Sequence, residues 1–238
     1  MSAYFESLNR REGAAAPAPL AAPRPVRVLP SRRPVPGEMP AEYRALREKL
    51  LVASGGKPLK TLVFAGCDGG EGCSEVVREF AGALASSGLN VLLVDGEGVT
   101  EGGENALDLD DAVSRRRSLS ASSWGKGKLT VVQSPVARAD KERLLGSSEF
   151  ASWLDVQHST YDYVLLDAPP LLRSADATLM GRLCDGVVIM VQAEATPRNA
   201  LADAREQLER AGVNVVGVVL NGVRNPIPKL LRPYLSVD

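Results

Sequence analysis

The chain is poor in the residues that usually announce a chemistry. It has one histidine, His158, and three cysteines, Cys67, Cys73 and Cys184. Three widely spaced thiols build neither a disulfide framework nor a zinc-ligand spacing, and they suit a reducing compartment. A single histidine that follows a helical stretch reads as a surface residue, not a catalytic one. Aromatics make up only 5% of the 238 residues, and the formal net charge is −1, so nothing in the overall balance argues for a nucleic-acid partner. No apolar run approaches the roughly 18 residues that a membrane span needs, and the N-terminus lacks the apolar core of a secretory signal. The expectation is a cytoplasmic chain that reaches a membrane only through a partner. At 45% hydrophobic and 24% charged, the rest has the composition of a soluble globular domain.

The most telling absence is local. No basic residue lies between Lys60 and Arg78, whereas Asp68, Glu71 and Glu75 are acidic. This stretch contains Gly66-Cys67-Asp68-Gly69-Gly70-Glu71-Gly72-Cys73-Ser74, preceded by the apolar Leu62-Val63-Phe64-Ala65 and followed by a helical pattern from Val76 to Leu84. Strand, glycine loop and helix together are the setting in which backbone N–H groups and a helix N-terminus cradle a phosphate. Such a loop carries a lysine just before its serine. Here that position is Cys73.

Elsewhere the chain alternates strand and helix patterns. Residues 1–40 hold eight of the 16 prolines among alanines and arginines. They read as an extended, disordered tail, which leaves 41–238 for the folded domain. Tyr4 to Arg11 could form a short docking helix, against which stands the ordinary reading of a frayed terminus. Ala41–Ala53 reads as a helix with Tyr43, Leu46, Leu50 and Leu51 on one face and Arg44 and Arg47 on another. Strands are expected at Lys60–Ala65, Asn90–Asp95, Leu129–Val132, Tyr163–Asp167, Gly186–Val191 and Val215–Leu220. Helices are expected from the glycine loop to Ser87, weakly at Leu107–Val113, and at Lys141–Gln157, Ser174–Leu183 and Pro197–Ala211, the last capped by Thr196. Arg115-Arg116-Arg117 reads as a solvated basic turn, with the binding of an anionic partner as the alternative. The alternation implies an α/β fold: a three-layer, doubly wound, mainly parallel sheet of the P-loop NTPase type.

In such sheets a ligand lies beyond the carboxyl ends of the strands, where the glycine loop, Asp95, Asp167 and Asn221 all fall. Phosphoryl chemistry needs loop amides, a cation, a hydroxyl on Mg²⁺ and a strand-end carboxylate. Gly70, Glu71, Gly72, Cys73 and Ser74 are the candidate phosphate-binding residues, and Ser74, Asp95 and Asp167 the candidate Mg²⁺ ligands. Asp95 is also the candidate base. Asn221 either contacts a nucleotide base or forms a turn with Gly222. The missing lysine removes a charge-assisted contact worth about 1.5–3 kcal/mol. Glu75, in the first helical turn, would itself answer the helix dipole. Cys73 has no local histidine or cation to activate it as a nucleophile.

These residues resemble the cytoplasmic kinase domain of bacterial tyrosine kinases, the BY-kinase group of CpsD/CapB type, relatives of the MinD/ParA ATPases. The resemblance runs from Glu42 to Asn221. It is carried by Glu42-Tyr43-Arg44-Ala45-Leu46-Arg47 (similar to the family's oligomerisation helix), Gly70-Glu71-Gly72-Cys73-Ser74, Val91 to Asp95, Glu142 to Phe150, Tyr161 to Pro170, Asp176-Ala177 and Cys184 to Val188. It implies ATP and Mg²⁺ as cofactors, homo-oligomers through the 41–53 helix, and a membrane polysaccharide co-polymerase or chain-length protein as partner. The place of action would be the inner face of the membrane, in exopolysaccharide or capsule assembly. The departures lie at the site. Cys73 replaces lysine, Glu75 replaces a hydroxyl residue, Asp95-Gly96-Glu97-Gly98-Val99 lacks the second aspartate and the arginine, and the C-terminal tyrosines are reduced to Tyr234. The expectation is therefore a catalytically impaired relative. Two alternatives stand beside it: an active tyrosine autokinase that borrows a cation such as Arg78, and a MinD/ParA-like spatial regulator.

Overall fold

The computed structural model describes residues 26–27, 39–53, 59–96, 107–114, 119, 122–133 and 138–223. Tyr4 to Arg11, Glu97 to Val99, Arg115 to Arg117, Tyr234 and the rest of the C-terminal tail lie outside the described residues.

Four apolar runs make the centre of the sheet: β2 (Thr61–Gly66), β3 (Asn90–Asp95), β7 (Tyr163–Ala168) and β8 (Gly186–Gln192). Every residue of β2 and β7 is buried, because both of their faces are covered. β1 (Val26–Arg27), β4 (Leu107–Asp108), β5 (Ser122–Trp124), β6 (Gly127–Gln133) and β9 (Val215–Asn221) complete nine strands among the described residues, in the order β1-β9-β8-β2-β7-β3-β6-β4, with β5 antiparallel on β6. All the other pairings are parallel. Val26–Arg27, inside the proline-rich stretch, is extended and paired with β9.

Alternation along the strands sorts side chains into two cores. Leu62 and Phe64 face α1 (Ala41–Ala53) and α2 (Cys73–Ser86), packing with Leu46, Phe80 and Leu84. Val63 and Ala65 face the opposite layer, with Phe150, Leu154, Met180 and Leu208. That layer holds α3 (Leu109–Ser114), α4 (Arg138–Leu145), α5 (Ser148–Thr160), α6 (Asp176–Gly181) and α7 (Arg198–Arg210). The three-layer, doubly wound α/β architecture expected from the sequence is the one observed. Among the described residues no helix is long and apolar enough to cross a membrane.

Several local expectations need correction. The helix expected over Lys141–Gln157 is two helices. Gly146-Ser147 interrupts it, and the Ser147 hydroxyl accepts the Phe150 N–H at 3.1 Å as the N-cap of α5. Thr196 does not cap α7: its hydroxyl accepts the Gln192 N–H at 2.8 Å, and Pro197 holds the cap position. β5 was not anticipated; its turn is marked by Gly125, at φ 60°. Leu51 leaves the buried face of α1 and is 37% exposed, because a residue eight positions after Tyr43 has rotated well off that face.

α1 docks through Tyr43, Leu46 and Leu50. The Tyr43 hydroxyl donates to Glu79 on α2 at 2.5 Å, and its ring lies 5.9 Å from that of Phe80. Leu46 is 1% exposed and Val52 80% exposed. Leu46→Ala is expected to cost about 2–5 kcal/mol in denaturant unfolding, through lost burial and a cavity. Val52→Ala should stay within about 0.5 kcal/mol of wild type.

Candidate functional site

The glycine loop leaves β2 at Gly66 and enters α2 at Cys73. Gly69, Gly70 and Gly72 adopt φ of 108°, 86° and 73°, which a side chain rarely tolerates. Gly72 is the N-cap of α2 and supplies no side chain to the helix N-terminus. The loop is tied by three hydrogen bonds from two sides. The Leu171 N–H donates to the Gly66 carbonyl at 2.9 Å and the Leu172 N–H to the Cys67 carbonyl at 3.0 Å, fixing the loop against the segment after β7. From β9, the Asn221 amide donates to the Glu71 carbonyl at 3.0 Å. Asn221 also forms the turn considered for it, its Oδ1 accepting the Gly222 N–H at 2.8 Å.

The fourth tie is internal. Glu71 is only 4% exposed. Its side chain folds back so that Oε1 accepts the Asp68 N–H at 2.9 Å and Oε2 accepts the Gly69 N–H at 2.8 Å. Oε2 lies so close to Gly66 that a Cβ there would have to displace the carboxylate. A buried carboxylate needs such donors, since desolvating a charge without them is costly. Glu71, rather than Glu75, is thus the acid that acts on the loop; Glu75 is exposed on the first turn of α2.

Asp95 and Asp167 lie side by side in register on β3 and β7, each 1% exposed. The Gly96 N–H donates to the Asp167 carbonyl at 2.9 Å. Ser74 follows Cys73 in the first turn of α2, and both are half-buried. The structure therefore brings the loop, Asn221, Asp95 and Asp167 to one end of the sheet. His158 stays away from it. Its Nδ1 is 2.9 Å from Oγ1 of Thr61, the first residue of β2, at the opposite end.

Two residues near the site were not singled out from the sequence. Arg173 reaches the loop mouth and pairs with Asp68 at 2.9 Å, both side chains exposed. This hydrogen bond, and the Asp68 charge after it, raises the Arg173 pKa above its ordinary value. Lys141, on α4, is buried: its ammonium donates to the Gly96 carbonyl and lies 3.1 Å from Asp176 Oδ2. A helical wheel gives a signal for Lys141, because it shares a face with the buried Leu144 and Leu145.

The residues fit a phosphate–Mg²⁺ group in shape but not in charge. The loop, the Ser74 hydroxyl and the Asp167 carboxylate are of the right kind for phosphate and metal. Position 73 offers a thiol where an ammonium is needed, and a second carboxylate, Glu71, is sealed into the loop. Among the described residues no three His, Cys, Asp or Glu side chains converge as a metal-ligand set.

This sheet order with a glycine loop after β2 defines the class of P-loop NTPase-like folds. A chain of the Aquifex aeolicus MinC:MinD cell division protein complex shares it, with a TM-score of 0.56 at 19% identity over 69% of each chain. No family model matches the sequence. The homologues of the chain are bacterial tyrosine-protein kinases. It is 28% identical to the Streptococcus agalactiae tyrosine-protein kinase CpsD over 202 residues, covering 78% of this chain and 84% of that protein. The kinase domain of the Escherichia coli tyrosine kinase ETK superposes with a TM-score of 0.67 at 25% identity, covering 79% of this chain and 77% of that one.

Burial, then the charges of Glu71 and Asp68, push the Cys67 thiol from its ordinary 9.0 up to about 12. Below pH 9 the thiol is protonated whether the chain is folded or unfolded. Between about pH 9 and 12 the unfolded chain releases this proton while the folded chain keeps it, so stability falls as pH rises. Urea unfolding between pH 8.5 and 11 should show this decline in wild type. The decline should be shallower in Cys67→Ala.

Proposed function

We propose that the chain is a nucleotide-impaired relative of the bacterial tyrosine kinases that regulates exopolysaccharide or capsule assembly through binding rather than phosphoryl transfer. The observation that carries this reading is the state of the loop. Its cation position is Cys73, and the Asp68 and Gly69 N–H groups are already taken by Glu71. A phosphate would meet extra negative charge here and lack a charge-assisted contact worth about 1.5–3 kcal/mol. In an active relative, an electrostatic contact made in the transition state is worth roughly 10²–10³ in rate.

On this reading residues 41–238 form the domain and 1–40 the tail. The partner is a membrane polysaccharide co-polymerase, and the chain works at the inner face of the membrane through it. α1 supports assembly into homo-oligomers: Val52 is 80% exposed, and Arg47 Nε has no hydrogen-bond partner among the described residues. Any residual ATP and Mg²⁺ would use Gly70, Gly72, Ser74, Asp95 and Asp167, with Asn221 near the base.

One observation favours the active autokinase instead. Arg173 places a guanidinium beside Asp68 and Gly69, closer to the loop than the sequence suggested for any cation. Calorimetry with ATP and Mg²⁺ separates the two. The impaired reading predicts no binding tighter than about 100 µM, equivalent to roughly −5.5 kcal/mol, and a gain of binding in Cys73→Lys. Tighter binding by wild type that is lost in Arg173→Ala, with phosphate incorporated at Tyr234, supports the autokinase.

A further inference from the structure

We propose that the outer edge of β9 is an acceptor for one extended segment, that its occupant is this chain's own Val26–Arg27 strand, and that this strand guards the edge against pairing with a second copy. β9 needs such a cover. Its Val215-Val216-Gly217-Val218-Val219-Leu220 carries no charge and no proline. A β-branched run of this kind at the edge of a sheet is a template for pairing with another chain. On its inner side β9 is paired with β8, from Val187 to Gln192. On its outer side, among the described residues, only β1 meets it, as a parallel strand with Val26 opposite Val219 and Arg27 opposite Leu220. α1 packs on both β1 and β9.

The register says which backbone groups do the covering. The Asn221 carbonyl accepts the Ala193 N–H at 2.8 Å, so Asn221 faces β8. Backbone groups alternate sides along a strand, so Val219 faces β8 as well, while Val218 and Leu220 turn their N–H and C=O groups to the outer edge. In a parallel ladder the residue opposite Val219 is then the one whose N–H and C=O lie between Val218 and Leu220. That residue is Val26. Arg27 turns its backbone groups away from β9, to the side where a further strand would pair. The sequence puts prolines at 23 and 25, in step with Arg27. A proline has no N–H to offer a further strand, which is why it is tolerated at sheet edges. One side of the segment suits β9, and the other side is poor in donors.

The test is amide hydrogen exchange and sedimentation on the whole chain. In wild type the Leu220 amide is expected to be protected, although it lies on the outer side of β9. Val26→Pro removes the N–H that faces β9. It should speed Leu220 exchange about tenfold or more, and it should add concentration-dependent species larger than those of wild type. Arg27→Pro, on the outward side, should match wild type in both measurements. Free exchange of Leu220 in wild type overturns the proposal without any variant. So does equal exchange in wild type and Val26→Pro, or an Arg27→Pro variant that uncovers Leu220 as Val26→Pro does. If Val26→Pro uncovers Leu220 yet keeps the wild-type size, the edge needs no guard and the proposal fails.

Discussion

The folded-back carboxylate of Glu71 sets the terms for everything around the loop. A glycine loop at the end of a parallel strand presents inward-pointing amides that need an acceptor, and in a working nucleotide site much of that demand is met by phosphate. Here two of the amides are met from within the loop. The loop therefore holds its shape by its own hydrogen bonds, by Asn221 from β9 and by the two N–H donors that follow β7. A side chain at Gly66 would have to displace the Glu71 carboxylate, which occupies that space. The loop's shape is thus held by hydrogen bonds within the chain.

The charges of the site follow from that constraint. With lysine gone from position 73 and an acid sealed into the loop, positive charge has to come from other elements. Arg173 brings it to the exposed mouth, where water screens its pairing with Asp68. Lys141, buried in the opposite layer, pairs with Asp176. Lys141 sits on the opposite side of the sheet from α1. That helix instead joins α2 by apolar contacts and the Tyr43–Glu79 hydrogen bond. α2 begins at the glycine loop, so the candidate assembly helix packs on the element that carries the loop.

Much of this was legible in the sequence. The strands were found because both their faces are buried, which leaves unbroken apolar runs such as Val91 to Val94. The site was found because strand-end acids and the loop converge in any sheet of this topology. What the sequence hid is instructive. Gly146-Ser147 looked like part of a helix because the apolar pattern resumes at Phe150, although a serine three residues before a buried position is also a cap. β5 was lost because its serines carry no pattern and its pairing depends on a turn at Gly125. Lys141 entered only as the first residue of a helix, since burial of a lysine depends on an acid, Asp176, 35 residues away in sequence. The inward turn of Glu71 could not be read at all, because the same sequence permits an exposed glutamate at a loop tip.

The claim on which the rest turns is that the loop satisfies itself. Amide hydrogen exchange at Asp68 and Gly69 tests it most directly, measured on the whole chain with and without ATP and Mg²⁺. If Glu71 holds these amides, both are protected in the absence of nucleotide and unchanged by its addition. If both exchange freely alone and become protected when nucleotide is added, the loop is an open phosphate site and the account is wrong.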